Sequence, residues 1–322
     1  MKKYLELFKD GFDATVAEKT KVENWPYVGY SPSEGVVFTV VPKPTVSGPW
    51  VTFTAEEDNS SIGLQQLSTV QTMEYSTDTT TWNTFYKTTN ISLNNGDKVY
   101  VRGVLRAYNL DNDYTQFKMS GKIAASGNCN ALWNYQDLNA PLKAYCGFRM
   151  FHGCTSLTTA PELPATTLAE GCYYWMFWDC TSLTAAPELP ATELAKKCYN
   201  GMFSNCTSLT TAPELPATIL AEYCYYGMFS DCTSLTTAPE LPATILAEYC
   251  YNGMFRNCTK LIYIKCLATD ISASFCTSSW LRGVSSTAGT FVKHPDMNKW
   301  PTNDTAISSG IPSGWVVEDA VL

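Results

Sequence analysis

Glu214–Pro239 reads ELPATILAEYCYYGMFSDCTSLTTAP, and nearly the same words recur on either side of it. Cysteines fall at 146, 172, 198, 224, 250 and 276 in one series and at 154, 180, 206, 232 and 258 in a second, always 26 residues apart. A fixed period in this range marks stacked repeats, because one short unit cannot bury its apolar face until a neighbour covers it. Tyr199–Cys224 and Tyr225–Cys250 differ only at Asn200/Tyr226 and Asn205/Asp231, which points to duplication within the gene.

One copy, ATTLAEGCYYWMFWDC (Ala165–Cys180), places Leu168, Ala169, Cys172, Tyr173, Met176 and Cys180 on one side of a helix turning about 100° per residue. A helix is therefore predicted in every repeat, with both cysteines facing inward. Its opposite side carries Glu170, Gly171, Tyr174 and Trp178, and the equivalent positions vary between copies. The run that follows, with Leu157, Leu183, Leu209 and Leu235, predicts one strand of a parallel sheet per repeat. Strands stack about 4.8 Å apart and helices about 8–10 Å apart, so the array is expected to curve with its strands on the concave side.

The cysteine spacing bears on chemistry. Structural zinc sites pair their ligands closely, commonly two to four residues apart, whereas the intervals here are C-x7-C and C-x17-C and the only histidines are His152 and His294. A catalytic thiol needs a base and an electropositive, partly exposed setting, and one nucleophile has no reason to be copied into each turn. The odd count of 13 argues against an obligatory disulfide framework. The thiols are read as small buried hydrophobes.

Gly227–Cys250, GMFSDCTSLTTAPELPATILAEYC, is similar to the BspA-like leucine-rich repeat: an aromatic before a Cys, a Thr-Ser-Leu run, a short strand, a proline and an Ile/Leu-containing turn. The resemblance covers about residues 131 to 290. The unit is longer than usual for the family, and Pro161, Pro187, Pro213 and Pro239 sit where its strand normally continues. What the resemblance implies is a repeat fold serving as a binding and spacer surface without catalytic residues.

The flanks read differently. Period-two runs between residues 49 and 126, separated by Asn, Asp, Gly and Thr turns, predict an antiparallel β-sandwich, with Asn94–Asp97 (NNGD) as a hairpin turn. Residues 131–148 are expected to cap the first repeat, and two β-like runs, Thr290–Lys293 and Trp315–Glu318, to cap the last. The expected organisation is an N-terminal helix and extended arm (1–45), a β-sandwich (46–127), a curved α/β leucine-rich-repeat solenoid (128–284) and a β-rich C-terminal cap (285–322). In the first segment Leu5, Phe8 and Phe12 form an apolar stripe at helical spacing, followed by an aromatic stretch with Trp25, Tyr27 and Tyr30. These six residues are the candidate attachment arm.

The net charge of −8 lacks a basic nucleic-acid footprint. Charged residues interrupt the first twenty positions, leaving no signal-peptide core, and no run reaches the roughly 18 apolar residues of a membrane span. The chain is thus expected to be soluble, made in the cytoplasm and not inserted in a membrane. No phosphate loop, Ser-His-Asp set or carboxylate pair stands out, so neither an enzyme nor a cofactor is expected. Glu162, Glu188, Glu214 and Glu240 recur once per turn and read as a solvated acidic stripe. Tyr174, Trp175, Trp178, Asn200, Tyr226 and Asn252, where the copies differ, are the candidate binding surface.

Three settings fit. The first is a bacteriophage virion component, a head or tail fibre bound to other virion proteins through residues 1–45, homo-oligomeric, and displaying the repeats toward a host-surface protein or glycan. The second is a bacterial cell-surface adhesin, and the third a cytoplasmic interaction scaffold. The order of arm, sandwich, near-identical repeats and cap resembles phage appendage proteins, and an adhesin is expected to open with an export signal. The virion is the favoured expectation.

Overall fold

A computed structural model describes residues 48–107, 113–285, 288–298, 300–303 and 310–321. The chain divides into two units, residues 1–47 and Gly48–Leu322. The expected arm, with Leu5, Phe8, Phe12, Trp25, Tyr27 and Tyr30, lies outside the described residues. The second unit is mostly β, and its described residues contain one helix, the four-residue α1 (Ala131–Asn134).

Its first part forms two sheets. One runs β4-β3-β6-β1-β8-β9, from β1 (Val51–Ala55), β3 (Gln71–Ser76), β4 (Asn83–Thr84), β6 (Lys98–Leu105), β8 (Ile123–Ser126) and β9 (Leu157–Thr159). The other runs β5-β2-β7, from β2 (Ser60–Gln66), β5 (Asn90–Leu93) and β7 (Gln116–Ser120). Alternating sequence produces alternating burial: in β6 every second residue from Val99 to Leu105 is buried. Phe53 of β1 meets Phe117 of β7 at 5.0 Å, joining the sheets. Strand β2, Ser-, Gly- and Gln-rich, has no clear alternation and was not anticipated. Asn94–Asp97 does turn tightly, with the Asp97 amide bonded to the Asn94 carbonyl and Gly96 at φ 88°. It is not a hairpin, however: β5 pairs with β2 and β6 with β1, so the turn carries the chain from one sheet to the other.

The predicted repeat helices are absent, which corrects the α/β expectation. Between Gly171 and Cys180 the amides alternate in their choice of partner. Those of Cys172, Tyr174, Met176, Trp178 and Cys180 each bond the carbonyl three residues back, closing successive tight turns. Those of Gly171, Trp175, Phe177 and Asp179 reach the next repeat, at Lys196, Asn200, Met202 and Ser204, while Tyr173 reaches back to Cys146. A right-handed helix cannot do this, since its amides are used within the segment. Positive φ recurs every four residues, at Gly171, Trp175 and Asp179, then Lys197, Gly201 and Asn205, then Tyr223, Gly227 and Asp231. With no thick helical layer, the packed-helix spacing from which curvature was expected is missing.

Asp231 separates the two architectures by experiment. It holds φ 64°, and its carboxylate accepts hydrogen bonds from Asn257 Nδ2 at 2.7 Å and Ser230 Oγ at 2.7 Å. Asp231→Val is expected to lower stability by about 2–4 kcal/mol, from left-handed strain of about 1–2 kcal/mol and the lost charged hydrogen bonds. Asp231→Gly removes the strain and is expected to be the milder variant, measured by urea denaturation. A helix predicts the reverse order, since glycine is the poorer helix former.

The opposite side of each repeat is extended, but mostly as single parallel bridges, Ala185↔Thr211, Glu193↔Ile219, Thr237↔Tyr263, Leu241↔Cys266 and Ile245↔Asp270, instead of continuous strands. Proline supplies no amide donor, and Pro187, Pro213 and Pro239 occupy this run. Where the prolines stop, strands form: β10 (Tyr263–Cys266), β11 (Thr290–Lys293) and β14 (Val316–Asp319) make a parallel sheet. Tyr263 pairs with Thr290, and Thr290 with Val316, so the C-terminal segment continues the register of the repeats. A short pair, β12 (Thr302–Asn303) and β13 (Ile311–Pro312), lies between β11 and β14.

Rings stack through the interior. Phe117, Phe151, Phe177, Phe203, Phe229 and Phe255 form one ladder with centroid steps of 5.2, 5.3, 5.6, 5.8 and 5.7 Å. Tyr173, Tyr199, Tyr225, Tyr251 and Trp280 form a second. The first ladder begins in β7, so the two-sheet part and the repeats share one core. α1 closes the second, with Trp133 6.1 Å from Tyr173. All 13 cysteines are free and buried. The thiols of Cys180, Cys206, Cys232 and Cys258 donate to the carbonyls of Phe151, Phe177, Phe203 and Phe229 at 3.0–3.1 Å. Each of these carbonyls also accepts the amide three residues ahead. The thiol therefore fills the second lone pair, a task that alanine or valine could not perform.

Candidate functional site

Among the positions at which the copies differ, three on the turns form rows. The first row reads Tyr145, Gly171, Lys197, Tyr223, Tyr249, Phe275; the second Phe148, Tyr174, Asn200, Tyr226, Asn252; the third Arg149, Trp175, Gly201, Gly227, Gly253. Because successive repeats are hydrogen-bonded in register, residues 26 apart become neighbours, and their rings stack where present. Tyr223 lies 4.5 Å from Tyr249, and Tyr249 lies 5.0 Å from Phe275. Phe148 lies 5.4 Å from Tyr174.

The repeat at 197–201 interrupts these rows. It supplies Lys197, Asn200 and Gly201 where its neighbours on one side have Tyr174 and Trp175 and on the other Tyr223 and Tyr226. The result is an open groove of about 530 Å³ lined by Tyr145, Tyr174, Trp175, Lys197, Asn200, Tyr223, Tyr226 and Tyr249. One wall is rigidly built. Trp175 stacks on Tyr174 at 4.4 Å, carries the Arg149 guanidinium over its face at 4.7 Å and lies across Gly201. A Cβ at Gly201 would come within 2.4 Å of the indole, so only glycine, here at φ 57°, accommodates the ring. Tyr223 and Tyr226, 5.7 Å apart, form the facing wall.

Asn200 is 6% exposed and belongs to the floor, in place of the outward position expected for it, whereas Tyr226 is 38% exposed. Tyr174, Trp175 and Trp178 are half-buried. Of the six expected surface residues, Tyr174, Trp175, Asn200 and Tyr226 meet in the groove. Trp178 lies outside its lining, packed edge-on against His152 at 5.2 Å. Asn252 also lies outside, its amide donating to the Phe275 carbonyl at 3.4 Å. Burial and the nearby Arg149 charge hold the His152 imidazole below its usual range, which keeps it neutral beside Trp178. Tyr145, Lys197, Tyr223 and Tyr249 line the groove and are not among those six. Their signal is a ring at 26-residue spacing that lapses at Gly171 and Lys197.

The groove's charges are mostly engaged. Lys196 pairs with Glu222 at 2.7 Å, and the Tyr145 hydroxyl lies 3.5 Å from Glu170 Oε1. Lys197 has no carboxylate within ion-pair distance among the described residues. Elsewhere, the last member of the acidic stripe, Glu240, pairs with Lys265 at 2.8 Å. Cys172 and Cys198 of the same turns are buried and are not in the lining, so the groove offers rings, hydroxyls, an amide and an ammonium. This is a lining for holding a ligand.

Residues 134–261 and 177–287 match the family model for the BspA type leucine rich repeat region, in six copies. No curated protein and no solved structure matched the chain. No helix among the described residues is long and apolar enough to cross a membrane.

Proposed function

We propose that the chain is a non-catalytic, adhesin-like binding protein that holds its ligand in the groove over Lys197. The match to BspA-type repeats supports a repeat-based binding role. In this reading a β-sandwich (46–127) carries a leucine-rich-repeat solenoid (128–284) ended by a C-terminal cap (285–322). The observation that carries the reading is that the repeat at 197–201, alone among the five from 145–149 to 249–253, has no ring at any of the three positions, and lies between repeats that supply Tyr174 and Trp175 on one side and Tyr223 and Tyr226 on the other. Filling it tests the idea. Lys197→Tyr copies Tyr223 and Tyr249, so it should fold with an undiminished Tm while adhesion to target cells falls at least tenfold. Unchanged adhesion by the folded variant would remove the groove from the function.

The setting we propose is a phage particle, a head or tail fibre built from several copies and held to other virion proteins through residues 1–45. Thirteen buried, unpaired thiols support folding and assembly in a reducing cytoplasm, where a chain crossing an oxidising compartment would risk mispairing them. Mass spectrometry of purified particles checks this, and a chain starting at Gly48 should fold yet fail to be incorporated. The surface of a bacterium is the second reading, favoured by the repeat family alone.

A further inference from the structure

We infer that the groove over Lys197 takes a sugar ring, one pyranose of a glycan, seated between the Trp175 and Tyr226 sides with its hydroxyl edge toward Lys197 and Asn200. This rests on the groove being the binding site and adds the class of ligand.

Two observations point there. The first is the combination of ring faces with a polar edge. Tyr174 and Trp175 stand on one side and Tyr223 and Tyr226 on the other, and a puckered sugar ring presents C–H faces to such rings while its rim carries hydroxyls. Asn200, nearly buried, brings an amide to the floor, and Lys197 brings an ammonium with no carboxylate partner among the described residues. Two donors at the bottom of a ring-walled slot suit the hydroxyls or carboxylate of a sugar. An aromatic peptide side chain would instead leave such groups without partners, which is costly. The second is the rim, where Tyr226, 38% exposed, adds a hydroxyl that can serve as donor or acceptor.

The test uses the full chain and three trisaccharides, of glucose, of N-acetylglucosamine and of glucuronic acid, followed by saturation-transfer NMR and tryptophan fluorescence. At least one is expected to bind in the millimolar range, as suits a single open groove multiplied by copy number. Lys197→Tyr should abolish that binding at unchanged Tm. Lys197→Gln, which leaves the slot open, should weaken it about tenfold, and more for the acidic sugar than for the neutral ones. Asn200→Ala should weaken it similarly. Binding that survives Lys197→Tyr overturns the proposal, as does failure of all three sugars. A tyrosine-containing acidic peptide that binds as well as the best sugar also overturns it, in favour of a protein ligand. The two readings fail differently. Adhesion lost in Lys197→Tyr but not inhibited by any sugar removes the ligand class and leaves the groove, whereas adhesion indifferent to Lys197→Tyr removes the groove itself.

Discussion

Brought from pH 7.5 to about pH 10 under reducing conditions, the protein is expected to unfold. Burial pushes the Cys154, Cys172 and Cys266 thiols up to about 12. It likewise raises those of Cys129, Cys146, Cys180, Cys198, Cys206, Cys224, Cys232, Cys250 and Cys258. In the unfolded chain the same groups ionise near pH 8.5. The folded state therefore binds more protons than the unfolded state above that pH, and stability falls as pH rises. The contribution is fully present below about pH 8. At pH 10 each thiol favours unfolding by roughly 1.5–2 kcal/mol, and a dozen together exceed the 5–15 kcal/mol that holds an ordinary domain together. Circular dichroism melts at half-unit pH steps measure it. A Tm that stays level through pH 10 would show that these thiols titrate alike in the folded and unfolded chain and are therefore exposed. Alanine at several of the cysteines should flatten the profile, even as it lowers stability at neutral pH.

Phe203→Ala carries the largest expected effect of a single substitution, about 3–5 kcal/mol, read from the shift of the urea midpoint. Phe203 is completely buried, with Phe177 at 5.6 Å on one side and Phe229 at 5.8 Å on the other. Its carbonyl also receives the Cys232 thiol. Since coupling in a stacked array runs through nearest neighbours, a cavity in mid-ladder weakens both junctions. The loss should exceed that from Tyr226→Ala on the outer face, and the transition should broaden as the two ends begin to unfold separately. Equal losses at the two positions would contradict the ladder as the source of cohesion.

The core of each repeat could be read from sequence even though its backbone could not. Cys172, Tyr173, Met176 and Cys180 are buried as a helical stripe requires. Tight turns with a period of four residues bury nearly the same positions as a helix with a period of 3.6, and nine residues are too few to separate them. What distinguishes the two is backbone chemistry. Gly201, Gly227 and Gly253, with Asp179, Asn205, Asp231 and Asn257, recur at four-residue intervals; they are poor helix formers and the readiest to adopt positive φ. The prolines had the opposite fate. Noted as a departure from the strand pattern, they do reduce the strands to single bridges. The groove was half legible: variation between copies located Tyr174, Trp175, Asn200 and Tyr226. Lys197 and Tyr223 become meaningful only when residues 26 apart are set side by side, which is a fact about stacking and not about any one copy.

The alternation of amides has an evolutionary consequence. Within the turns, each repeat turns half of its donors on itself and directs the other half at the adjoining repeat, and the near-identical copies Tyr199–Cys224 and Tyr225–Cys250 present the same set to either side. Unequal crossover between the two stretches of DNA would yield a chain longer or shorter by one whole copy, with every junction chemically equivalent to one that already exists. The ends, built from α1 and β8 on one side and β11 and β14 on the other, would go unchanged. Length thus becomes a heritable variable that selection can adjust in steps of 26 residues: a gained copy moves the groove at Lys197 further from the C-terminal end, whereas a lost copy takes Asn200 or Tyr226 out of it.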